Sequence, residues 1–258
     1  MIERTFLRRI TLDLTGLQPT PKEYRDFLGD SSPNAVSLVV DRLLNSPRYG
    51  ERWARHWMDM VHYADSQGHD QDRPRDNSWP YRDYLIRSFN QDKPYSRFVE
   101  EQLAGDILYP EDPYATVATG FISTGPFDES SMMFIVDDTV DKKQAQNLDR
   151  DDMLMTTMST FLSTTIHCAR CHDHKFDPIL QEDYFRLQAF FSPLLPINQV
   201  INASEEKVSE YQQKLLVWEN TTKHIRLQID EMHNYNCLFP HTLNFLYQVL
   251  LFYQVLKM

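Results

Sequence analysis

Residues 167–178 read His-Cys-Ala-Arg-Cys-His-Asp-His-Lys-Phe-Asp-Pro. The stretch holds two of the chain's 3 cysteines, Cys168 and Cys171, and three of its 9 histidines, His167, His172 and His174. Cys-x-x-Cys-His is the pattern that attaches c-type haem covalently, with two thioethers to the ring and the adjacent histidine on the iron. Positions i, i+3 and i+4 of a helical turn share one face. Both sulfurs and the imidazole can therefore address one flat macrocycle. The same residues have other uses. A Cys-x-x-Cys pair also serves as half of a zinc site or as a redox dithiol. His172 directly after Cys171 favours haem. His174, two residues further, does not easily reach the opposite face of the ring and suits a local Cys168, Cys171, His172, His174 site for zinc or non-haem iron. Zinc more often draws its ligands as two separated pairs, and no second Cys-x-x-Cys or His-x-x-x-His is present. A redox dithiol normally follows a strand of a βαβ unit, a pattern that is missing here.

Outward from this stretch the chain reads as helix on both sides. A Thr- and Met-rich helix over 153–167 is expected to deliver the turn, and a helix over 181–191 follows Pro178, with Tyr184, Leu187, Phe190 and Phe191 packing inward or against the edge of a ring. Toward the N-terminus, residues 4–14 form a short helix ended at Gly16. Thr20-Pro21 with Glu23 is a start signal for the next, in which Tyr24, Phe27 and Leu28 fall on one face. Val36, Val39, Val40, Leu43 and Leu44 give a third, closed at Pro47. Residues 48–63 are amphipathic, with Trp53, Trp57, Met60 and Val61 on one side and His56 beside them, a packing histidine first and a second axial ligand only as the sharper alternative. Residues 65–77 are polar and read as a loop of paired charges, because they lack the spacing and glycine of a calcium loop. Ser78 caps a helix to Asn90, Pro94 starts another that Gly105 stops, and Asp112-Pro113 starts a short one. Residues 123–136, with Met132 and Met133, read as loop, either methionine being a possible thioether ligand to iron. Residues 137–152 are acidic and mixed.

Beyond Pro193 and Pro196 the pattern changes. Val208, Tyr211, Leu215, Trp218, Thr222, Ile225, Ile229 and Met232 recur at alternating spacings of three and four, a heptad seam. One arm of an antiparallel coiled coil is expected, its partner arm missing from the chain. Residues 236–258 are apolar but broken by polar side chains, marginal as a membrane span and expected to lie outside the fold. The division is thus 1–198, a multi-helix domain; 199–235, a coiled-coil helix; and 236–258, an atypical tail. The fold class is mainly α.

Composition sets limits. With 258 residues the chain can bury a core without disulfides. A formal charge of −11 argues against nucleic acid and against anionic lipid as partners. The ratio of 7 glycines to 14 prolines fits helices punctuated by proline.

Several stretches together carry a resemblance. They are Leu-Asp-Leu-Thr-Gly-Leu at 12–17 with Pro19-Thr20-Pro21, Ser-Pro-Arg-Tyr-Gly-Glu-Arg-Trp at 46–53, Asp-Arg-Pro-Arg at 72–75, 79–83, 98–106 and 168–178. Over residues 1–194 the chain resembles a planctomycete cytochrome-c-like family of unknown function. Its members are exported, with an ordinary cytochrome c domain ahead of this region and another conserved domain after it. The resemblance implies an exported, periplasmic location, a redox or electron-transfer role, and a redox partner protein or neighbouring cytochrome domain as partner. It carries over Cys168, Cys171 and His172 as haem-site residues and His174 as a second-rank candidate. His167 stands where similar sequences hold a small residue. No export signal opens the chain, so a piece of a longer exported protein is expected. Three functions follow in order: a haem c electron-transfer domain; a non-haem metalloprotein at Cys168, Cys171, His172 and His174, as a hydrolase drawing acid/base groups from 65–76; and an interaction module working through the coiled coil.

Overall fold

The computed structural model describes residues 2–194 and 205–235. The described residues are mainly helical, with a lone antiparallel bridge between Ser66 and Pro74 in place of any strand. They fall into two units: Met1–Gly68, Asp72–Phe127 and Arg150–Pro196 form the first, and His69–Gln71, Asp128–Asp149 and Ile197–Met258 the second.

The first unit opens with α1 (Ile2–Thr15), α2 (Pro21–Gly29) and α3 (Ala35–Leu44) around Leu7, Phe27, Ala35, Val39 and Leu43. The start of α2 is a full capping box: the Thr20 hydroxyl accepts from the Glu23 amide at 3.2 Å, and the Thr20 amide donates to the Glu23 carboxylate at 2.7 Å. Pro47 opens α4 (Pro47–Met60) as its first residue, with Ser46 as the cap. α4 packs most extensively on α5 (Trp79–Asn90). Gly50 makes that possible, since a Cβ there would overlap the Ile86 carbonyl of α5. Then come α6 (Tyr95–Leu108), α7 (Pro113–Ala118) and α8 (Gly120–Ser123). Ala54, Val61, Tyr81, Tyr84, Leu85, Phe98, Ala118 and Phe121 form the main core of this unit.

Besides Pro47, which opens a helix where a closer was expected, three expectations are corrected. Gly105 does not end α6: the helix runs through it to Leu108, with a kink at Ala104. The missing Cβ serves packing, because any atom in its place would collide with the Ala115 carbonyl of α7. Residues 123–136 are not all loop, for Ser130–Phe134, with both Met132 and Met133, form a π-helical turn. The helix expected over 153–167 is α9 (Val140–Leu162), which starts thirteen residues earlier and ends before the cysteines. Its early turns carry Asp, Lys, Gln and Asn with no clean apolar stripe, so periodicity did not reveal them. It ends where Ser163 takes a left-handed φ of 52°.

α10 (Gln181–Phe190) lies where expected. Tyr184 is fully buried with Leu154, Ile166 and Ala169, whereas Phe190 is 75% exposed. In the second unit, α11 (Glu205–Tyr235) is a single helix of 31 residues. A coiled coil is not shown among the described residues. Residues 236–258 lie outside them. Among the described residues no helix is long and apolar enough to cross a membrane.

Candidate functional site

His167–Arg170 form one turn of 3-10 helix, and the turn continues through Cys171 and His172. The amides of Cys171 and His172 both donate to the Cys168 carbonyl, at 3.3 and 3.4 Å. Positions 168, 171 and 172 are thus joined by i+3 and i+4 backbone bonds. Both cysteines are free and exposed. The turn is two-faced. Ala169, between the cysteines, is fully buried with Ile166 in the pocket of α9 and α10 side chains. Its neighbour Arg170 reaches back to α9, where its guanidinium donates to Asp151 at 2.7 Å. Tyr184 of α10 donates its phenolic proton to the other oxygen of the same carboxylate. Burial, then the Asp151 carboxylate, push the Tyr184 phenol above its ordinary range, so it stays a donor. The hydrogen bond to Asp151 likewise raises Arg170. Gln181 adds a bond from its side chain to the Arg170 carbonyl at 3.1 Å.

His172 is exposed, and its Nδ1 lies 2.8 Å from the Asp173 carbonyl. A carbonyl only accepts, so Nδ1 carries a proton, and the lone pair of a neutral ring is then on Nε2. A backbone carbonyl holding Nδ1–H is the usual outer partner of a metal-binding imidazole. Asp173 in turn accepts from the Gln181 amide at 2.8 Å, which ties the loop to α10. His174 has a different part. Its side chain is only 6% exposed. Its Nδ1 accepts from the Asp177 amide at 2.9 Å, and its own amide donates to Ile179 at 2.8 Å. The imidazole is a staple inside the Lys-Phe-Asp-Pro loop, and Nδ1 is taken. His167 is exposed on the first residue of the turn.

Among the described residues no group of three or more His, Cys, Asp or Glu is placed to hold a metal ion. The four side chains of the expected zinc or iron set are therefore not gathered at one point. The remaining sequence candidates lie elsewhere. His56 is exposed on α4, edge-on to Trp53 at 5.7 Å. In the polar loop, Asp65 accepts from Tyr63 at 2.9 Å and Ser78 at 3.1 Å, and its carbonyl from the Arg75 amide at 2.7 Å, so it is a structural acceptor. In the second unit, His69 lies between Asp70 and Asp128 at 3.1 and 3.4 Å. A cleft of about 370 Å³ occupies one side of α5 and is lined by Asp83, Ile86, Arg87, Asn90 and Gln91, none of them from the motif.

Asp151 is the site residue that the sequence did not reveal, and Tyr184, read there as an inward-packing side chain, is not marked there as its hydrogen-bond partner. Asp151 sits 19 residues from Arg170, and Tyr184 sits 33 from Asp151. Such spacings carry no periodic signal. The only available hint was a tyrosine and an Asp-Asp pair in helices flanking the motif.

A helical protein with an exposed dithiol and imidazole turn seated on a buried carboxylate is the class defined by the fold and the site. The chain belongs to the family described as PSCyt2, protein of unknown function (DUF1549), whose model matches residues 1–195. Neither a curated protein nor a solved structure matches the chain.

Proposed function

We propose that the first unit is a haem c-bearing electron-transfer domain of an exported protein, attached at Cys168 and Cys171 with His172 on the iron. One observation carries this reading: a single hydrogen-bonded turn presents two free thiols outward, beside an imidazole whose Nδ1–H is already held and whose Nε2 is free. The donor set fits the group chemically. Each thiol adds across a vinyl group, its sulfur bonding one carbon and its hydrogen passing to the other, with no net oxidation. Haem supplies one-electron exchange at iron when bound. The chain's own residues do the rest. Asp173 fixes the tautomer of His172, and the buried Ala169 keeps the turn's inner side shut to solvent. Phe176, 83% exposed, and Leu180, 50% exposed, offer apolar surface on the same loop for a ring to cover.

Covalent haem c is attached outside the cytoplasm, so an exported location belongs to the proposal, as does a neighbouring cytochrome domain as partner. The test is to express the full chain behind an export signal together with haem-attachment machinery. The expected result is a Soret band that stays with the denatured polypeptide and disappears in the Cys168→Ala, Cys171→Ala double variant. Stoichiometric zinc and no porphyrin in the purified chain would overturn it.

A further inference from the structure

Asp151 is 6% exposed, and nothing in the proposed attachment uses it. It nonetheless ties two side chains together beneath the motif. One oxygen takes the Arg170 guanidinium at 2.7 Å and the other takes the Tyr184 hydroxyl. Gln188 joins from α10, its amide 3.3 Å from that hydroxyl. Arg170 is one of the two residues between the cysteines, and the other, Ala169, is fully buried. Both x positions of Cys-x-x-Cys are therefore held, Ala169 by burial and Arg170 through its guanidinium, while both cysteines are exposed.

Packing alone does not account for a carboxylate here. Burying the Asp151 carboxylate costs desolvation that an apolar side chain of similar size avoids, and its Arg170 partner, with a side chain 36% exposed, is only partly withdrawn from water. What the ion pair adds is direction. Arg170 has a flexible stem, and a charge-assisted hydrogen bond fixes one arrangement of it. Two sulfurs that must reach two positions on one rigid ring benefit from a turn frozen in advance, because the ordering is not then required during the reaction.

We propose that Asp151 is the positioning residue of the cysteine turn: through Arg170 it sets the orientation in which Cys168, Cys171 and His172 are presented together. The consequence for attachment rests on the haem c proposal above; the ordering of the turn does not, and the two are measured separately.

The experiment uses the full chain with Cys237→Ser as background, so that only the motif carries thiols. In the unloaded protein, amide hydrogen exchange is followed at Ala169, Cys171 and His172, whose amides close the turn on Ile166 and Cys168. Asp151→Asn is expected to speed exchange there at least tenfold and to leave the amides of α4 and α5 unchanged. In protein made with haem-attachment machinery, iodoacetamide labelling and intact mass count the sulfurs left free. The wild type is expected to show none. Asp151→Asn, with its melting transition kept, is expected to show at least a tenfold larger share with one free thiol. Wild-type exchange together with complete double attachment in Asp151→Asn would overturn the inference. If the wild type carries no ring, the haem proposal fails and exchange alone decides this one. If Asp151→Asn does not fold, Arg170→Gln decides: rapid exchange confined to the turn supports the inference, and wild-type exchange overturns it.

Discussion

Around Gln102 the polar atoms of the first unit close on one another. The fully buried amide oxygen accepts from Trp57 at 2.8 Å and from Tyr81 at 2.7 Å, and its nitrogen donates to the Phe98 carbonyl at 3.1 Å. One residue earlier, the buried Glu101 takes Tyr84 at 2.8 Å, Arg97 at 2.6 Å and Lys93. Around Cys168 the pattern is opposite. Asp151, Tyr184 and Ala169 are satisfied within the fold, while two thiols and an imidazole nitrogen are left to solvent. A saturated network holds helices together and has nothing left to offer a ligand. A half-saturated one combines a rigid base with open valences, which is the arrangement a binding site needs.

The comparison can be broken at the core first. Gly105→Ala drives a Cβ into the Ala115 carbonyl, so about 3–4 kcal/mol of stability is expected to be lost, read as a lower midpoint in urea. Gln102→Leu leaves the Trp57 and Tyr81 donors buried without an acceptor. The same measurement should show a loss of about 3 kcal/mol. Neither change should alter the alkylation of Cys168 and Cys171 under native conditions. A large change in it would mean that the two regions are one.

Glu101 sharpens the comparison through pH. Burial raises its pKa, but hydrogen bonds from Lys93, Arg97 and Tyr84 outweigh burial and hold it below the usual glutamate value. Its stabilisation is therefore full above that value and is lost as pH falls through the lower, folded-state one. Lys93 and Arg97 are partly exposed, so Glu101→Gln is expected to cost only about 2 kcal/mol near neutral pH, with the difference shrinking in acid. The smallest effect has the opposite sign. Burial raises Asp152; His62, with Nδ1 3.7 Å away, opposes the shift and Asp151 adds to it. The folded state then holds this proton longer than the unfolded one, so its contribution is present in acid and lost as pH rises through the raised pKa. Asp152→Asn should melt slightly higher than wild type near neutral pH and equal it in acid.

How much of this was legible in the sequence follows from the range of each signal. The box at Thr20, the proline starts at Pro47 and Pro113 and the Cys-x-x-Cys-His turn are local patterns, and each is present in the fold, Pro47 as an opener where a closer was expected. Gly105 misled because a glycine late in a helix looks like a stop, whereas its use is an approach by another helix that no neighbouring residue announces. The first turns of α9 lack an apolar stripe, and the partners of Asp151 are set only when three elements meet. The bland face of the site was thus readable and its foundation was not.

The haem c proposal is that one turn holds a porphyrin by two sulfurs. Its most direct test is the intact mass and absorbance of the full chain, expressed with export and haem-attachment machinery and then denatured in acid. The account predicts the added mass of one haem per chain, a Soret band in the denatured sample and no alkylatable thiol at Cys168 or Cys171. A bare polypeptide mass with both of those thiols free would contradict it.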